Sequence, residues 1–80
     1  MNEALPHVNV SETGQNIQML IYASGTSAPK IAEALGLSTY AVYKWIYGEC
    51  LPTIDNLVGL AHLLGVEMTD ILVIEGGDAE

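Results

Sequence analysis

Apolar positions recur along the chain at three- and four-residue steps, and glycine and proline cut that pattern into short segments. Ile17, Leu20 and Ile21, joined by Thr13, share one face of a helix predicted from Ser11 to Ala23. Ser11 is placed to cap it, Glu12 lies in its first turn, and Ser24-Gly25 ends it. Ser27 caps a second helix with Pro29 in its first turn. Ile31, Ala32 and Leu35 form its buried stripe, and Gly36 stops it. Ser38 caps a third helix that runs to Gly48. Only Gly36 and Leu37 separate the second helix from the third, so the two must cross steeply with Leu37 in the elbow. Pro52-Thr53 opens a fourth helix, in which Ile54, Leu57, Val58, Ala61 and Leu64 keep the helical period until Gly65. A fifth, from Met68 to Ile74, turns Ile71 and Leu72 inward. The pattern holds no persuasive strand pair and no internal repeat. It predicts an all-α chain: an extended arm over residues 1–10, five short helices around one core over 11–74, and an acidic flexible tail over 75–80.

Composition narrows the function classes. At 80 residues and 50% apolar, the chain is one small domain and too hydrophobic for a disordered acidic segment. It is too short to enclose a deep catalytic cleft comfortably. No apolar run reaches the roughly 18–20 residues that span a bilayer, and the N-terminus lacks the pattern of a signal peptide. A lone cysteine, Cys50, cannot form an internal disulfide, so a reducing, cytoplasmic setting is expected. Two lysines and no arginine stand against ten acidic residues, for a formal charge of -8. That balance opposes indiscriminate binding to nucleic acid or membranes.

The third helix carries the most informative pattern. At 100° per residue, Ala41, Val42, Trp45 and Ile46 fall on one side. Tyr40, Tyr43, Lys44 and Tyr47 cluster on the other, with Thr39 beside them. Large amphipathic rings on a solvent face suit a surface that touches something, although one or two could fold back onto the domain.

The stretch from Gly14 to Leu72 resembles the Cro/cI-type, lambda-repressor-like helix-turn-helix domains over roughly three-quarters of the chain. The resemblance is carried by Ile17 and Leu20, Ile31-Ala32, Gly36-Leu37-Ser38, Val42, Trp45, Gly48, Pro52, and the run Leu57, Leu60-Ala61, Leu64-Gly65-Val66. It implies a compact five-helix domain with the helix-turn-helix at helices 2 and 3. It also implies double-stranded DNA as the partner, with helix 3 in the major groove. The implied DNA-facing set is Thr39, Tyr40, Tyr43, Lys44 and Tyr47, with Ser38 and the start of helix 2 (Ser27, Ala28, Lys30) near phosphates. Two departures from the family pattern stand out. Ala28 occupies the position where a glutamine commonly opens helix 2. Ile21 and Ile46 replace an arginine–glutamate pair between helices 1 and 3, an exchange of a buried ion pair for an apolar one that keeps the fold.

The charge is unevenly spread. Residues 25–48 hold Lys30 and Lys44 against Glu33, a balance of +1, which leaves -9 elsewhere. Five of those acids, Glu67, Asp70, Glu75, Asp78 and Glu80, lie beyond Gly65. This supports a DNA-binding transcriptional regulator. The missing arginines and Ala28 favour a rival, a helix-turn-helix turned into a protein-interaction module through its tyrosine face. A homodimer through helices 4 and 5 is also expected, since Leu63 and the run Ile71-Leu72-Val73-Ile74 exceed what one small core needs. Alternatively, Val73 or Ile74 closes the bottom of the core. Neither catalysis, a metal nor a cofactor is indicated: His7 and His62 lack partners at ligand spacing, and Cys50 has no adjacent cation.

Overall fold

The computed structural model describes residues 5–77. The order of elements is β1 (His7–Val8), α1 (Val10–Ala23), α2 (Ala28–Leu35), α3 (Thr39–Ile46), α4 (Ile54–Leu64), α5 (Met68–Ile71) and β2 (Ile74–Glu75). Three predicted caps are in place: Ser27, Ser38 and Thr53 accept the backbone N–H of Lys30, Ala41 and Asn56 through their hydroxyl oxygens. Gly36 ends α2 in the left-handed conformation at φ 73°, which frees the chain to turn at once into Leu37 and α3. Helix 1, however, starts at Val10. Asn9, rather than Ser11, is its cap, with Oδ1 2.8 Å from the N–H of Glu12.

Ile17 from α1, Val42 from α3, Leu60 from α4 and Ile71 from α5 are fully buried, and Ile31 and Ala32 of α2 close the core. Ile21 and Ile46 both lie in it, as an apolar exchange for an ion pair requires. The stripe of α4 is rotated from its expected position. Leu57, Leu60, Ala61 and Leu64 are buried, whereas Ile54 and Val58 are 72% and 50% exposed. This helix is apolar on nearly every side, so its period alone does not select the inward face.

Helices α1 and α3 meet more closely than two ordinary helices can. A methyl group at Gly14 would run into the carbonyl oxygens of Trp45 and Ile46, the last residues of α3. Glycine is therefore required in mid-helix, where its ordinary cost is about 1 kcal/mol relative to alanine.

The N-terminal half of α1 is also tied to the C-terminal segment by side-chain hydrogen bonds. The hydroxyl of fully buried Thr13 accepts the Val73 N–H at 2.9 Å. Asn16 donates through Nδ2 to the carbonyls of Asp70 and Ile71 at 2.8 and 2.9 Å. The Asn9 N–H donates to the Val73 carbonyl at 2.8 Å. These bonds end α5 at Ile71, three residues earlier than the periodicity predicts, and extend the chain into β2. Strands β1 and β2 form an antiparallel ladder, His7 opposite Glu75 and Val8 opposite Ile74, so the expected arm and the start of the expected tail pair with each other. Residues 1–4 and 78–80 of that arm and tail lie outside the described residues.

Glu75 fastens the ladder. Its carboxylate accepts from Asn9 Nδ2 at 3.0 Å and faces His7 Nε2 at 3.1 Å. The Asn9 hydrogen bond, followed by the His7 contact, holds its carboxyl below the ordinary carboxylate value.

Two outcomes are expected. Gly14→Ala should destabilise the fold by about 3 kcal/mol or more in denaturant titration, because the obstruction is backbone and cannot rotate aside. Folding favours the ionised form of Glu75, so its contribution is complete above the ordinary carboxylate value and lost as pH falls through the lowered one. The protection factor of the Asn9 amide, its exchange rate taken relative to the intrinsic rate at each pH, should therefore fall on acidification through that range, while amides in α2 keep their protection.

Candidate nucleic-acid interface

Helix α3 is two-sided. Val42, Trp45 and Ile46 are sealed in the core, which fixes the rotation of the helix about its own axis. The opposite side then has to face out. Tyr40, in the first turn, is 68% exposed, and Tyr47, at the C-cap, is 69% exposed. Thr39, Tyr43 and Lys44 are half-buried. Tyr43 leans onto the core, so one of the three rings does fold partly back.

The outward side chains are paired along the helix at four-residue spacing. The Lys44 ammonium sits 5.6 Å from the centroid of the Tyr40 ring. The Tyr43 and Tyr47 rings stack with centroids 5.7 Å apart and planes at 19°. The i, i+4 spacing of these residues was visible in the sequence; the pairing itself depends on which way each ring turns.

Helix α2 contributes its N-terminal end. Lys30 is exposed and Ser27 half-buried beside it, with Ser38 exposed at the start of α3. Ala28 does not join them. It is buried, its methyl group in the core beneath the first turn of α2, and so it offers no side-chain surface to a ligand. Cys50 and His62 are exposed. Among the described residues, no three His, Cys, Asp or Glu side chains gather in a way that could hold a metal ion, and no helix is long and apolar enough to cross a membrane.

Residues 16–77 match the family described as the Cro/C1-type HTH DNA-binding domain. The restriction-modification controller protein C.AhdI from Aeromonas hydrophila is similar in structure, with a TM-score of 0.71 and 26% identity over 78% of this chain and 94% of that one. A transcriptional regulator from Listeria innocua gives a TM-score of 0.68 and 27% identity over 75% of this chain and 56% of that one. The clp gene regulator ClgR from C. glutamicum shares the fold at a TM-score of 0.71 and 18% identity, over 81% of this chain and 84% of that one. No curated protein sequence matches the chain.

The two kinds of surface residue should respond differently to truncation. Ser38→Ala removes the α3 cap and should cost about 1 kcal/mol in denaturant titration. Tyr40→Ala should change stability by less than about 0.5 kcal/mol, because the ring is not part of the core.

Proposed function

The chain belongs to the family of Cro/C1-type helix-turn-helix DNA-binding domains, and from that membership we propose that it is a transcriptional regulator that reads double-stranded DNA with α3 and works as a homodimer. The observation that carries this reading is the outward side of α3. It presents Thr39, Tyr40, Tyr43, Lys44 and Tyr47 in the stretch of chain whose charge balance is +1, while -9 lies elsewhere. A major groove accommodates one helix, and the first outward residues of that helix meet the base edges. Ser27, Lys30 and Ser38 would flank it at the phosphates, where hydroxyls and backbone N–H groups at helix starts hold the protein in register. The relatives support a regulatory role: one is a controller protein and another a transcriptional regulator.

The dimer would form through α4 and the segment after it. Ile71 is buried, and Leu72 and Val73 are half-buried, so this part of the apolar run is largely used within the chain. Leu63, Met68 and Ile74 remain exposed, together with Ile54 and Val58. Doubling the chain also doubles the lysines to four, against about 6–10 phosphates neutralised by an ordinary site-specific binder. Binding should therefore depend weakly on salt, with a logarithmic slope of about -4 or shallower.

A second reading, a protein-docking surface made by the same tyrosines, is favoured by the lack of arginine and the net charge of -8. Selection from a random duplex library at about 0.15 M salt separates the two. Enrichment of a two-fold site, lost in the Tyr40/Tyr43/Lys44 triple alanine variant, is the expected result. No enrichment even at low salt would move the tyrosine face to a protein partner. Sedimentation as a monomer at high concentration would remove the dimer and the expectation of a palindromic site.

A further inference from the structure

We propose that the base chemistry recognised by α3 is the methyl group at position 5 of a pyrimidine, in practice thymine, rather than the hydrogen-bonding edge of guanine or adenine. The inference rests on the DNA-binding reading above and narrows it to a class of site.

The argument starts from what the helix-turn-helix lacks. Guanine is most often read by a bidentate arginine or by lysine, and adenine by a bidentate asparagine or glutamine. The chain has no arginine, and no asparagine or glutamine lies between Gly25 and Gly48. Glu33, the carboxylate in that stretch, is in α2. Lys44 is the cation on α3, and its ammonium lies over the Tyr40 ring, 5.6 Å from the centroid, so a bidentate contact to guanine would first have to give up that pairing. What α3 does present is apolar surface tipped with hydroxyls: the Tyr40 ring, the Tyr43–Tyr47 stack and the methyl group of Thr39. A phenol or threonine hydroxyl both donates and accepts, so it discriminates poorly among base edges. The ring edges and methyl group discriminate well in one respect, since thymine alone among the unmodified bases projects a methyl group into the major groove.

The pairing within the face adds to this. The stack of Tyr43 on Tyr47 and the contact of Lys44 with Tyr40 orient the rings before any DNA arrives. A surface ordered in advance loses less side-chain freedom on binding, which matters most where charge contributes little.

The test is to run the selection twice, with a random duplex library synthesised with thymidine and with the same library synthesised with deoxyuridine. A thymine-rich site should be enriched from the first. Replacing each contacted thymine of the winning duplex by uracil should weaken binding about fourfold per methyl group. At the same position, 5-methylcytosine should bind more tightly than cytosine by a similar factor. Tyr40→Ser should abolish the uracil sensitivity where it arises from that ring, whereas Tyr40→Phe should keep it; both changes are at an exposed residue and leave the core intact. Enrichment of a site whose affinity is the same with uracil would overturn the methyl inference and leave the DNA reading standing. Enrichment from neither library would overturn both.

Discussion

Everything outward about α3 depends on how closely α1 can lie against its end. At Gly14 the Trp45 and Ile46 carbonyls of α3 occupy the space that a side chain on α1 would need. The Trp45 carbonyl also accepts the Gly48 N–H at 3.0 Å, and the approach of α1 leaves room only for a Cα hydrogen against the two oxygens. The contact sets the distance between the two helices. With Val42, Trp45 and Ile46 held on the same side, the rotation of α3 follows from it, and so does the side shown to solvent. Tyr40 and Tyr47 are exposed because a glycine one helix away is bare.

The second constraint is polar. Thr13 and Asn16 stand one turn apart on α1 and satisfy backbone groups on both sides of the bend that follows α5. A buried backbone N–H left without an acceptor costs about 1–3 kcal/mol, so one hydroxyl decides where the last helix stops and where the chain becomes extended. The α3 side of the molecule is held by apolar packing against α1, and the C-terminal segment by hydrogen bonds from α1. One helix therefore organises both.

Much of this was legible in the sequence. Ser27, Ser38, Thr53, Gly36 and Gly65 mark helix ends through local chemistry that needs no distant partner, and each does its expected job. The inward and outward sides of α3 were also readable, because its aromatic and aliphatic residues separate cleanly. Three features were not. Asn9 and Ser11 are both good caps, and the choice between them is made by the Val73 carbonyl, far along the chain. In α4 the apolar positions run most of the way round the helix, interrupted only by Asp55, Asn56 and His62, so the exposure of Ile54 and Val58 is settled by where α2 and α5 pack. Gly14 reads locally as a weak point in a helix, and its value appears only once α3 lies across it. The short Val8-Asn9-Val10 alternation marks the arm as extended, but nothing local marks Ile74-Glu75 as its partner, since His7 and Glu75 are 68 positions apart.

That small ladder also changes the topology of the molecule. With His7 beside Glu75, the stretch from residue 7 to residue 75 very nearly closes on itself. A short linker from Leu5 to Gly77, in place of whatever lies outside them, could seal it, and new ends could be opened in the exposed stretch from Glu49 to Leu51 between α3 and α4 without dividing any helix. Sealing would restrict the unfolded chain far more than the folded one. The loop-closure entropy now spent in bringing β1 and β2 together would be removed from the cost of folding.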